Sequence, residues 1–232
     1  MHIFLRHCIS SNASIGKARP QGFDRQHLLD VLAATLTNKD KCTLVLDLGS
    51  TTATEFNKRH FAEDFAIANN WKVVKGSYGS EGKAFQAILD IVRDMKGDDD
   101  YDEDEVITIL EDDYLVAKNW QQAILEGLCI ADYVTLYDHP DKYSAMYAGL
   151  VSKVFKTHSC HWRTTPSTTN SFATTAKTLR KDKDIHVAYS TGLKVTQDHF
   201  KFLELWKQAR PLETLISSMP SFWSHEEEGM QS

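Results

Sequence analysis

From residue 1 to about residue 138, short apolar runs alternate with longer stretches of helical periodicity, which limits the folds available to this chain. The candidate strands are 3–5, 43–48, 71–75, 106–110 and 133–137. Between them Leu28, Leu29, Leu32, Ala33 and Leu36 share one helical face. Phe85, Ile88, Leu89 and Val92 share another, and Trp120, Ile124, Leu125 and Leu128 a third. Strands that alternate with helices predict an α/β fold with a mostly parallel sheet covered on both faces. Such sheets bind ligands at the carboxyl ends of their strands.

After residue 138 the pattern loosens. Pro140, Pro166, Pro211 and Pro220 punctuate it, and HWRTTPSTTNSFATT is rich in hydroxyls. Periodicity returns over 196–210, where Phe200, Leu203 and Trp206 share a face and Thr196 reads as the N-cap. The end, SFWSHEEEGMQS, reads as a mobile tail with two aromatics.

Composition excludes several classes. Hydrophobic content of 42% and charged content of 25% fit a globular chain. No run approaches the roughly 20 apolar residues that span a bilayer. MHIFLRHCIS is too short in apolar residues for a signal-peptide core and reads as a first strand. A net charge of −6 argues against duplex nucleic acid as the main partner. Cys8, Cys42, Cys129 and Cys160 are widely spaced and read as reduced thiols of a cytosolic protein.

The acidic run GDDDYDEDE (97–105) fails the EF-hand template, because Glu103 and Ile109 stand where glycine and glutamate are needed. It reads as a solvated loop. His158, Cys160 and His161 have no second cluster at zinc-ligand spacing. GSYGSEG is not a GxGxxG fingerprint.

VITILEDDYLV (106–116) is different. A buried strand runs straight into Glu111, Asp112 and Asp113, and apolar residues follow at once. Three close like charges raise one another's pKa, and a hard divalent cation, Mg²⁺ or Mn²⁺, relieves them while binding substrate phosphates. A capped or solvated turn is the alternative.

LEDDYL after an apolar strand resembles the DxD-type motif of GT-A glycosyltransferases, in its EDD form. LVLDLGSTT (44–52) is similar to the second-strand segment of family-2-like members, and KGSYGSEGKAFQAIL (75–89) to their turn and helix after the third strand. TQDHFKFLELW (196–206) resembles the segment that carries the base of inverting members. The departures are EDD in place of a literal D-x-D, and Leu48 where many relatives place another acid.

The resemblance implies a single GT-A (Rossmann-like) domain over 1–232. Its nucleotide-sugar half is 1–138, its less regular acceptor half 139–210 and its tail 211–232. It implies a metal-dependent transferase that moves a sugar from a nucleotide diphosphate donor, a UDP-sugar, to a glycan hydroxyl. Asp113 and His225 are then metal ligands, and Asp198 the base, with inversion. Arg6, Ser10, Asp47, Lys83, Glu111 and Asp112 would bind the nucleotide sugar. His161, Trp162 and Arg163 would bind the acceptor, with Thr165 and Asn170 nearby and Asp138 and His139 opening toward the cleft. With no membrane anchor expected, a cytoplasmic microbial or virus-encoded enzyme follows, in the host cytoplasm in the viral case.

Each role has a plainer alternative. Asp198 serves equally as a first-turn helix carboxylate, Asp47 as turn chemistry with Gly49 and Ser50, Lys83 as a solvated lysine, and Trp162 as core. Two rival functions also stand. One is a sugar-phosphate nucleotidyltransferase, which needs a basic loop after the first strand; RHCISSNASIGKARP offers Lys17 and Arg19. The other is a non-catalytic glycan-binding module.

Overall fold

A computed structural model describes residues 1–8, 18–49, 59–95, 102–193, 196–228 and 230. The first half builds β1 (His2–Cys8), α1 (Arg25–Thr35), β2 (Lys41–Asp47), α2 (Phe61–Ala68), β3 (Lys72–Gly76), α3 (Glu81–Asp94) and β4 (Val106–Glu111). Side chains of Asp24, His60 and Ser80 accept backbone N–H groups at the starts of α1, α2 and α3, so polar residues set where these helices begin. There follow β5 (Tyr114–Val116), α4 (Trp120–Gly127), β6 (Ala131–Thr135), β7 (Val154–Lys156), β8 (His161–Thr164) and β9 (Phe172–Thr175). The chain continues through α5 (Ala176–Lys181), α6 (Lys183–Ala188), α7 (Asp198–Leu205), β10 (Glu213–Met219) and β11 (Trp223–His225).

Nine strands form one sheet in the order β3-β2-β1-β4-β9-β6-β10-β8-β7, and β5 pairs with β11 separately. Only β9 and β8 run against the other strands of the large sheet, so the α/β fold with a mostly parallel central sheet is present. Strands from both halves of the sequence interleave, with β9 seated between β4 and β6.

Alternate residues of β1 point to opposite faces, and each face has its own core. Ile3 and Leu5 pack with Leu29 and Leu32 of α1, Ala62 and Ala66 of α2, and Trp120 and Ile124 of α4. Phe4 packs on the other face with Phe85 and Ile88 of α3, Leu179 of α5, and Phe202 and Leu205 of α7. The chain steps one way through β1, β2 and β3, then returns across the sheet through α3 to β4. The order therefore reverses between β1 and β4, and in open α/β sheets that switch point opens a crevice at the carboxyl ends. Arg6 of β1 lies directly beside Glu111 of β4 there.

Three expectations need correction. The last helix buries Lys201, Phe202 and Leu205, while Phe200 and Trp206 are exposed. The inward face contains a lysine, so apolar periodicity alone selects the wrong stripe. Thr196 is also not the cap. Gln197 holds that position without a side-chain bond, because the Thr196 hydroxyl donates to Glu81 at 2.7 Å. Nor is the end a loose tail: Trp223 is buried beside Trp120 and Tyr114, and 223–225 form an antiparallel strand on β5. Among the described residues no helix is long and apolar enough to cross a membrane.

Candidate functional site

The carboxyl end of β4 delivers Glu111, Asp112 and Asp113 into the crevice, and each already faces a cation. Arg6 Nη2 lies 2.7 Å from Glu111 Oε1. His7 Nδ1 is 2.7 Å and Arg25 Nε 3.2 Å from Asp112 Oδ2. Both terminal nitrogens of Arg19 donate to Asp113 Oδ2 at 3.1 Å. Three arginines therefore supply part of the relief that the sequence argument reserved for a metal. They come from β1, α1 and the segment before it, far away in sequence, so spacing around the triplet gives no sign of them.

His225 approaches Asp113 from the other end of the chain. Pairing of β11 with β5 sets His225 opposite Tyr114, on which its ring stacks at 4.8 Å. Its Nε2 lies 3.3 Å from Asp113 Oδ2, and Nδ1 is buried with no hydrogen-bond partner. Among the described residues no group of three or more His, Cys, Asp or Glu is gathered as a metal-ligand set. Mg²⁺-type sites are commonly held by one or two protein groups with water and substrate phosphates completing the shell. Asp113 and His225 fit that pattern, but Arg19 occupies the same carboxylate oxygen.

Behind the triplet runs a buried polar chain. Arg6 also reaches Glu81 Oε1 at 3.4 Å. That oxygen accepts Asn170 Nδ2 at 2.8 Å and the Thr196 hydroxyl at 2.7 Å. Asn170 Oδ1 accepts a short bond from Lys201 Nζ. Lys201 is completely buried, 4.6 Å over the Phe85 ring. Asp198 starts α7 one turn before Lys201. Burial raises the Asp198 pKa against the attraction of Lys201. Burial, with Glu81 and Asp113 adding to it, pushes Glu111 up to about 7 despite Arg6. Glu81 goes the other way. Burial opposes the shift, yet Arg6 and the bonds from Thr196 and Asn170 hold it below the usual range. Sequence reading named Arg6, Asn170 and Asp198 but missed Glu81, Arg25, His7 and Lys201 as members. The one available signal was the carboxylate in GSEGK.

Asp47 is buried at the end of β2, where Oδ1 accepts the N–H groups of Gly49, Tyr78 and Gly79 at 2.9, 2.9 and 3.1 Å. It organises two loops through backbone donors, which is the turn chemistry weighed above. Lys83 is exposed on α3. A Cβ on neighbouring Gly82 would lie 2.2 Å from the Ser190 carbonyl oxygen, so this helix start packs on the 190–193 segment and turns Glu81 toward the crevice. Ser10 lies outside the described residues.

His161 is exposed, whereas Trp162 is fully buried with its Nε1 on Thr157. A stacking platform needs an open ring face, and Trp162 has none. Arg163 is spent on Asp138 at 2.5 Å. On and just after α7 the exposed aromatics are Phe200 and Trp206, and Tyr147 is hydrogen-bonded to His199 at 3.1 Å.

No family model matches the sequence, and no curated protein matches it. Among solved structures it is similar to a mycobacterial protein, with TM-score 0.47 and 10% identity over 94% of this chain and 64% of that one. It is similar to a 4-diphosphocytidyl-2C-methyl-D-erythritol synthase, with TM-score 0.48 and 13% identity over 94% and 88%. It is also similar to the glycosyltransferase GlyE of Streptococcus pneumoniae TIGR4, with TM-score 0.43 and 13% identity over 92% and 44%. The chain thus spans less than two thirds of the first and third of these proteins, and at such identities none of them assigns a residue a role here.

Proposed function

We propose that this chain is a GT-A glycosyltransferase that moves a sugar from a nucleotide diphosphate donor, a UDP-sugar, to a glycan hydroxyl. The observation that supports this most is the convergence of Asp113 and His225, from opposite ends of the chain, at the sheet's switch point. In this reading Asp113 and His225 hold Mn²⁺ or Mg²⁺, which supplies Lewis-acid stabilisation of the departing diphosphate. Asp112 and Glu111 line the donor crevice with Arg6. Asp198 removes the acceptor proton. Burial raises its pKa, which makes it a stronger base than a solvated aspartate. Attack from the side of Asp198 inverts the anomeric centre. The 1–138 half binds the donor, 139–210 carries the acceptor side, and the 211–232 segment closes the metal end. The reaction takes place in the cytoplasm.

The test is a thermal-shift panel of nucleotides and nucleotide sugars, with and without Mn²⁺, on the wild type and Asp113→Ala. Ligand at a hundredfold excess over Kd adds about 2.7 kcal/mol. A Mn²⁺-dependent shift with UDP, lost in Asp113→Ala, is expected. No nucleotide shift in the presence of Mn²⁺ would sink the reading. One observation favours a second one, a nucleotidyltransferase: Arg19, from the segment after β1, reaches the acidic triplet as a basic phosphate loop would. A shift with nucleoside triphosphates and none with nucleotide sugars would select it.

A further inference from the structure

Arg19 joins three parts of the chain at one carboxylate. Its two terminal nitrogens fork onto Asp113 Oδ2, and Nη1 also donates to the Glu226 carbonyl at 2.7 Å. Beside it the Glu228 N–H donates to the Ala18 carbonyl at 2.9 Å, and the Glu226 N–H to the Asp113 carbonyl at 2.7 Å. The guanidinium lies 4.7 Å over the Phe23 ring. The pair is largely shielded, with 16% of the Arg19 side chain and 8% of the Asp113 side chain exposed. A cation shared by His225 and Asp113 Oδ2 would sit where the Arg19 fork sits, since His225 faces that same oxygen. Two positive groups at one carboxylate oxygen repel strongly in a shielded setting.

We infer that Arg19 is a latch on the metal site: in the free protein it fills the cation's place at Asp113, and a divalent cation binds only by displacing it and freeing 18–19 from the 226–228 segment. The inference rests on the metal role proposed for Asp113. Displacement places a free guanidinium at the rim of the donor crevice, where a diphosphate brings the charge that a bidentate fork recognises.

Calorimetric titration with Mn²⁺ alone, without nucleotide, separates the possibilities. Arg19→Gln should bind Mn²⁺ at least about fivefold more tightly than the wild type, since that is the upper range for loss of an exposed competing ion pair and this one is shielded. Asp113→Ala should not bind it. Equal affinity in wild type and Arg19→Gln, with binding lost in Asp113→Ala, overturns the latch and leaves the metal reading standing. No Mn²⁺ binding by either protein overturns both. Should Arg19→Gln fail to fold, the wild type alone decides. Saturating Mn²⁺ should speed hydrogen exchange at the Glu228 amide, and unchanged exchange overturns the latch.

Discussion

Lys201 is a costly side chain to leave charged. It is 0% exposed, lies against Phe85, Phe172 and Phe202, and has one polar partner, Asn170. Burial lowers its pKa from 10.5 to about 8, with the Asp198, Glu81 and Glu111 carboxylates pulling the other way. That difference corresponds to about 3 kcal/mol of destabilisation. A lysine whose pKa is depressed by folding carries this cost in full below about pH 8. As pH rises toward 10.5 the unfolded chain holds more protons than the folded one, so stability climbs. Lys201→Met fills the same space with no charge and no titration. At pH 7 it should lie within about 2 kcal/mol of the wild type, because relief of the buried charge offsets the unpaired Asn170 carbonyl and the lost ring contact. The pH dependence is the sharper readout. In urea unfolding the wild type should gain about 2–3 kcal/mol on Lys201→Met between pH 7 and pH 10. A difference that stays constant over that range would refute the reasoning and show that Lys201 keeps an ordinary pKa.

Two further substitutions probe the frame of the site. Gly82→Ala in an exposed helix would add about 0.5–1 kcal/mol of stability, but here the new Cβ meets the Ser190 carbonyl at 2.2 Å. It should instead cost about 1–3 kcal/mol by urea unfolding, and any gain would contradict that contact. Trp223→Ala empties a site beside Trp120 and Tyr114. It should cost about 3–5 kcal/mol, whereas a loose terminus would lose almost nothing on the same measurement.

The sheet's first four strands were legible because each is a short apolar run ending in a turn, and α1 and α3 carry one apolar stripe apiece, whereas the eight-residue α2 was not read. Leu28, Leu29 and Leu32, and Phe85, Ile88, Leu89 and Val92, are all buried where periodicity places them. The second half was not legible, since β7, β8 and β9 have only three or four residues each and take their register from partners distant in sequence. The acidic triplet could be read as the site's edge from its position after β4. Its pairing with Arg19 and Arg25 could not. Sequence spacing reports neighbours along a strand or helix, while these arginines reach the triplet through the fold, and Arg6 and His225 were named without their partners, which strand order and the β5–β11 pairing set. The same limit explains Trp162, which looks like a sugar platform beside His161 and Arg163 until β8 is seen to turn it into the core.

The charges behind the triplet alternate in sign. Glu111 faces Arg6, Arg6 faces Glu81, and Glu81 meets Lys201 through Asn170, one helical turn from Asp198. None of these groups could stay ionised alone at its depth, because the desolvation cost of a single buried charge exceeds what one neutral hydrogen bond returns. Each is tolerable only while the next is present. The donor end of the crevice and Asp198 therefore share one electrostatic unit, although they arise some eighty residues apart on different elements. That coupling gives a physical reason for a fully buried lysine on α7. An apolar residue there would pack as well against three phenylalanines, but it would leave Asn170 without its donor and Asp198 without the positive charge that opposes its burial.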